Sequence, residues 1–206
     1  MSGIIAQNTL DGSGLIKSPE GGGAWNFIKK LTASGDADLS FVDGTDDVVL
    51  DSTYKTYVFT FNNIHPETDN GILQFNLSID GGSNYNVAKT TTAFRSYHDE
   101  GGSSTGFEYT AANDLAQGTG PQMIIPVIGA DNDQSGSGSL HLFNPSSTTF
   151  VKHFMSRSTF AQSSEYTETC YVGGYGNTTS AVDAIQFSMD SDNIDAGDIC
   201  LYGIST

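Results

Sequence analysis

Three stretches of this chain concentrate oxygen ligands of the kind a hard cation wants. Asp43-Gly44-Thr45-Asp46-Asp47 is followed by Asp51; Asp131-Asn132-Asp133-Gln134-Ser135-Gly136 opens like a calcium loop; and Asp190, Asp192, Asp195 and Asp198 form a third cluster. Calcium is held by several carboxylate and carbonyl oxygens on a flexible loop. The second stretch fits best, through Asp131, Asp133 and Ser135, but Leu142 stands where such a loop needs a bidentate Glu, and no helical pattern flanks it. All three therefore read as solvated loops. The expected cofactor is none, with calcium at Asp131, Asp133 and Ser135 as the weak exception.

The other chemistry-bearing residues are scattered. His65, His98, His141 and His153 show no short His/Cys spacing that would converge on zinc. His98-Asp99-Glu100 sets a base beside carboxylates, yet neighbours on a strand point to opposite faces, so adjacency does not make a dyad. The chain has no nucleophile elbow, phosphate-cradling loop or HExxH. Its 24 acidic residues make an opposed carboxylate pair easy to imagine without pointing to one. Tyr97, Tyr109, Tyr166 and Tyr175, set among Asn and Ser, could stack on sugars or sit half-buried in strands. Tyr97, Tyr109 and Tyr175 are the expected glycan contacts, and no catalytic residue is expected.

Composition narrows the partners. Eight Lys+Arg against 24 Asp+Glu give a net charge of −16 over 206 residues. Such a chain repels phosphate, which argues against nucleic acid. No apolar run is long enough to cross a membrane, and the start lacks a basic region before an apolar one, so a soluble, cytosol-made protein is expected. In that compartment Cys170 and Cys200 are expected to be free buried thiols.

Twelve Phe, nine Tyr and one Trp supply a core, while 24 Gly suit turns rather than helix interiors. Leu73, Phe75, Leu77 and Ile79 alternate with Gln74, Asn76 and Ser78, the pattern of a half-buried antiparallel strand. Similar alternation predicts strands over 54–61, 91–97, 139–143, 149–160, 165–175, 184–189 and 198–204. Turn signals separate nearly all of them, and one short helix fits near 111–117. Many short strands without helical spacers predict an all-β fold, an antiparallel jelly-roll-like β-sandwich over residues 25–206. Residues 1–24, with a triple glycine at 21–23, read as an extended N-terminal arm.

Residues 15–25, 51–57 and 61–66, together with Asp80-Gly81-Gly82-Ser83-Asn84-Tyr85, Leu142-Phe143-Asn144-Pro145-Ser146-Ser147 and residues 194–204, resemble segments recurring in virion proteins of tailed phages, especially marine and cyanobacterial ones. The resemblance spans nearly the whole chain and implies a structural or tail-fibre-like protein with no family catalytic motif. What it implies is a non-enzymatic structural protein on the virion surface, assembled in the host cytoplasm. Its arm would bind other virion proteins of the head or tail through Ile4, Ile5, Leu15, Ile16 and Trp25, by β-augmentation or a close relative. A homotrimer is expected by analogy alone. The alternative reading is a receptor-binding tail-fibre tip whose loops at 98–106 and 131–139 touch host surface glycan. A polysaccharide depolymerase is a further rival.

Overall fold

The computed structural model describes residues 24–205. Among these residues thirteen strands, all paired antiparallel, make two packed sheets. The strands are β1 (Trp25–Asp36), β2 (Asp38–Val42), β3 (Thr56–Pro66), β4 (Gly71–Ser78), β5 (Lys89–Asp99), β6 (Thr105–Tyr109), β7 (Ala116–Gly118), β8 (Gln122–Ile128), β9 (Gly136–Phe143), β10 (Lys152–Ala161), β11 (Tyr166–Gly176), β12 (Ala184–Met189) and β13 (Ile194–Ile204).

The wide sheet runs β1-β13-β3-β9-β10-β11-β5-β6, with β7 also on β5; the narrow sheet runs β2-β12-β4-β8. Setting aside β5–β7 and β10–β11, the remaining eight strands pair first with last, second with seventh, third with sixth and fourth with fifth. That is the order of a long hairpin rolled into two sheets, a jelly roll. The two insertions lie side by side and extend the wide sheet beyond β9.

Aromatic packing holds the roll together. Phe187 of β12 lies 5.3 Å from Phe61, 5.4 Å from Phe59 and 6.2 Å from Phe41, centroid to centroid, in edge-on or tilted geometry. Leu73, Phe75 and Leu77 of β4 are buried as their alternation predicts. The strand nevertheless departs from a half-buried one: Asn76 and Ser78 are buried as well, and Ile79, beyond the strand's end, is 42% exposed. Asn76 is enclosed because its Nδ2 donates to the carbonyls of Tyr85 and Thr119 in overlying loops.

Two other expectations need correction. The helix near 111–117 is a single 3-10 turn, Ala111–Asn113, with no side-chain cap, and the chain then extends into β7 to pair with β5. The strand expected over 149–160 starts at Lys152, because Ser147 Oγ takes the amides of Thr149 and Phe150 into a turn. The arm, with Ile4, Ile5, Leu15 and Ile16, lies outside the described residues. Trp25 opens β1 and packs edge-on against Tyr202, 5.5 Å between centroids.

Candidate functional site

The mismatch between a nine-stranded and a four-stranded sheet decides where an open site can form. Under the narrow sheet, the inner faces of β10, β11 and β5 are sealed by β8: Ser158 Oγ donates to the Ile124 carbonyl at 2.7 Å, and Thr91 Oγ1 to Gln122 Oε1 at 2.7 Å. Farther along, the same inner face overhangs β8 and is left uncovered. A cleft of about 370 Å³ opens there, lined by Arg95, Tyr97, Ser104, Gln162, Tyr166 and Glu168.

Strand parity places these side chains. Arg95 and Tyr97 are two apart on β5, Tyr166 and Glu168 two apart on β11, and the register sets Tyr97 opposite Glu168 and Arg95 opposite Cys170. The rings of Tyr97 and Tyr166 meet edge-on, 6.0 Å between centroids. Tyr97 is laid down by Gly106, its partner on β6; a Cβ at Gly106 would sit 2.4 Å from Tyr97 Cζ. The guanidinium of Arg95 lies 5.6 Å from the Tyr97 ring centre. The cleft floor is thus a fixed aromatic corner backed by a cation.

Arg95 holds two carboxylates. Its Nε and Nη2 both reach Glu108 Oε1 at 2.7 Å, and its Nη1 lies 3.3 and 3.1 Å from the two oxygens of Glu168. Gln162 Nε2 also donates to Glu168 Oε1. Burial pushes the Glu168 carboxyl above its usual range, against the pull of Arg95. Burial alone would lower the Arg95 guanidinium, but Glu108 and Glu168 more than offset it and leave it raised. The loop that forms the cleft's rim is ordered by Asp99, whose carboxylate accepts Ser103 Oγ at 2.6 Å and the Ser104 amide at 2.7 Å and is held below the usual range by those bonds.

The other predicted residues go elsewhere. Tyr109 and Tyr175 point to the opposite, outer face of the wide sheet, where Tyr109 donates to Asp114 and Tyr175 packs 6.0 Å from His153. His98 and Asp99 diverge as adjacent strand residues should: His98 Nδ1 meets the Asp99 carbonyl, and the Asp99 carboxylate serves the turn. Around Asp131, Asp133 and Ser135, Gln134 folds inward, its amide donating to the Asp131 carbonyl at 2.8 Å, while His65 lies beside Asp195 at 3.3 Å. Among the described residues, no group of three or more His, Cys, Asp or Glu side chains is arranged to hold a metal ion. Cys170 faces the inner side of β11 and Cys200 the outer side of β13, and both are free.

No protein-family model, no curated protein and no solved structure matches this chain.

The cleft's chemistry follows from its parts. Tyr faces and edges pack against the C–H faces of a pyranose, and hydroxyl, amide and guanidinium groups hydrogen-bond its hydroxyls. Of the three tyrosines expected to contact glycan only Tyr97 lines the cleft; Tyr166, a candidate not among those three, joins it, and sequence reasoning missed Arg95, Glu108, Gln162 and Glu168. Same-face spacing pairs Arg95 with Tyr97 and Tyr166 with Glu168; what joins the two pairs is the β5–β11 contact, which periodicity does not reveal.

Proposed function

We propose that this chain is a non-enzymatic structural protein of a tailed-phage virion, tethered to the head or tail by residues 1–24, whose sandwich recognises a host surface glycan. The observation that carries the glycan half is the Tyr97–Tyr166 corner beside the Arg95–Glu168 pair in an open cleft. The virion half is supported by the resemblance of the quoted segments and by an acidic jelly roll whose first strand opens at Trp25. Neutral sugars suit the cleft, because its cation is already matched by two carboxylates. The cleft's position on the 98–106 side of the sheet coincides with one of the two loops expected to touch a receptor.

A depolymerase would need one carboxyl to protonate a glycosidic oxygen and a second to act opposite it. Glu108 and Glu168 share one guanidinium, that of Arg95, and Asp99, opposite Tyr166, is bonded to Ser103 and Ser104. Glu168 is 3% exposed and bonded to Arg95 and Gln162. A carboxyl so engaged positions Arg95; it does not reach a substrate.

Titration calorimetry with oligosaccharides from host surface polysaccharide tests the glycan half. Tyr97→Ala and Tyr166→Ala should each weaken binding about 10-fold or more, the scale of one lost aromatic contact. Release of reducing sugar would overturn the non-enzymatic reading, and tyrosine variants that bind like the wild type would overturn the site. Deleting residues 1–24 should leave the sandwich folded and abolish incorporation into particles; incorporation of the truncated chain would refute the tether.

A further inference from the structure

The outer face of the wide sheet is the reverse of the cleft in chemistry. On β9, β10, β11, β5 and β6, the positions that alternate with the buried ones are Ser, Thr, Gly, aromatic residues, three histidines, Met155, Arg157 and Ala161, with no Asp or Glu among them. In a chain with 24 acidic residues this is a marked segregation. The carboxylates of the described residues lie in the turns and loops, in the inner cleft and on the far strands.

The face is also apolar where it is most exposed. Phe107 is 72% and Met155 61% exposed. Phe94 stacks on Tyr171 with centroids 4.9 Å apart and planes 12° from parallel, and Phe107 packs against Phe94 at 5.4 Å. The Arg157 guanidinium lies 5.6 Å from the Tyr171 ring centre. Beside them His141, Phe143, Met155, Arg157 and Tyr171 line a shallow groove of about 450 Å³. Aromatic residues, Met and Arg without carboxylates are the composition of an interface core.

We propose that this face packs against a second copy of this chain. The argument is electrostatic and geometric. Two chains of charge −16 repel at most of their surfaces. Apposed through the outer face of these five strands, they keep their strand carboxylates out of the contact, and Asp114 stands at its edge, tied to Tyr109. Five strands at ~4.8 Å spacing and about nine residues at ~3.3 Å rise span about 24 by 30 Å, or ~700 Å² per copy, close to the ~800 Å² each partner contributes to a standard interface. Phe27 and Tyr202 pack together at 5.7 Å on β1 and β13, on the part of the outer surface where Lys30 and Asp198 pair, beyond the five carboxylate-free strands. Two such sheets stack face to face at about 10 Å, the spacing at which their side chains interdigitate.

Sedimentation velocity of the full chain tests this across a concentration series. The wild type should sediment as an integral multiple of 21.8 kDa. The assembly should tighten as NaCl rises from about 0.05 to 0.5 M, because salt screens the net repulsion and no ion pair crosses the contact. Met155→Glu and, separately, Tyr171→Glu should raise the dissociation constant at least ~30-fold, the scale of a central contact residue. Ile79→Glu, at an exposed position off this face, should leave it unchanged. Far-UV circular dichroism and urea midpoints keep folding defects apart from assembly defects. A wild type that stays monomeric at ~100 µM overturns the proposal, whether or not it binds glycan or another virion protein. So does an assembly that survives both face substitutions, which would assign it to the arm or to another surface.

Discussion

Lys89→Met should stabilise the fold near neutral pH and reverse its effect in alkali. Lys89 has no exposed surface, and its Nζ donates to Asn76 Oδ1 at 2.5 Å and to the Val87 carbonyl at 2.9 Å, with no carboxylate among its partners. Burial pushes its pKa from 10.5 down to about 8. At ~1.4 kcal/mol per pH unit, that gap is a penalty of ~3 kcal/mol on the charged native form. Between the two values the unfolded chain keeps the proton that the native chain has released. Stability therefore rises with pH across the window, is fully present above the unfolded value and is lost as pH falls through about 8. Methionine removes the penalty together with two hydrogen bonds, worth ~1–2 kcal/mol. Asn76 Oδ1 retains the Leu77 amide at 2.9 Å. The variant should be ~1–2 kcal/mol more stable than the wild type near pH 7 and less stable than it by a similar amount above about pH 10.5. Only the difference between the two proteins isolates Lys89. Burial lowers Lys152 with the same sign, whereas burial raises the Cys170 thiol from 9.0 to about 11 and takes stability away as pH rises through that range. Urea unfolding at about pH 7, 8.5 and 11 gives the comparison. A difference that does not change with pH, or a variant less stable near pH 7, would refute the reasoning.

Other consequences follow from the same structure. Arg95→Met strands Glu168 without its cation and should cost about 3–5 kcal/mol near pH 7 by chemical denaturation. The loss should shrink towards pH 5, because a carboxyl already raised by burial takes up a proton and native stability is lost as pH rises, not as it falls. Gly106→Ala puts a Cβ into the Tyr97 ring and should weaken saccharide binding as much as Tyr97→Ala does; calorimetry showing unchanged affinity would mean the ring's resting place is irrelevant. Mass spectrometry after non-reducing alkylation in denaturant should find both Cys170 and Cys200 modified, and added reductant should not move the unfolding midpoint, since the two thiols lie on opposite faces of one sheet.

The fold was more legible than the site, for a physical reason. Alternation reports which side chains share a face, and Leu73, Phe75 and Leu77, like Tyr57, Phe59 and Phe61, are buried as their spacing predicts. Where both faces of a strand are covered the signal vanishes: β8 is a nearly continuous apolar run and gave no alternation to read. As a polar residue alternating with apolar ones, Asn76 reads as solvent-facing; it is buried with its amide fully bonded, and its Oδ1 accepts from the buried Lys89. The cleft depended on strand order. Nothing local to residues 95–97 or 166–168 says that β11 lies between β10 and β5, because that follows from where the two insertions join the roll. The outer face was hidden for the same cause: no carboxylate is missing from the sequence, and only the topology shows that five strands point none of them outward.

β11 carries both proposals on alternate residues, so a single strand can separate them. Tyr166 and Glu168 point into the cleft, and Tyr171 points out to the carboxylate-free face. If copies associate through the outer face, each assembly presents several clefts, and a sugar contact that is weak at one site becomes strong on a surface bearing many. Tyr171→Glu should then leave the affinity for a free oligosaccharide in solution unchanged while reducing retention on a glycan-coated surface by ~10²-fold or more, the usual scale of lost avidity. Tyr166→Ala should weaken both measurements and leave the sedimenting species intact. Side chains on opposite faces of one strand do not touch, so the double variant should show the sum of the two effects. Equal loss of solution affinity in Tyr171→Glu would mean that the cleft and the outer face are one site coupled through the sheet.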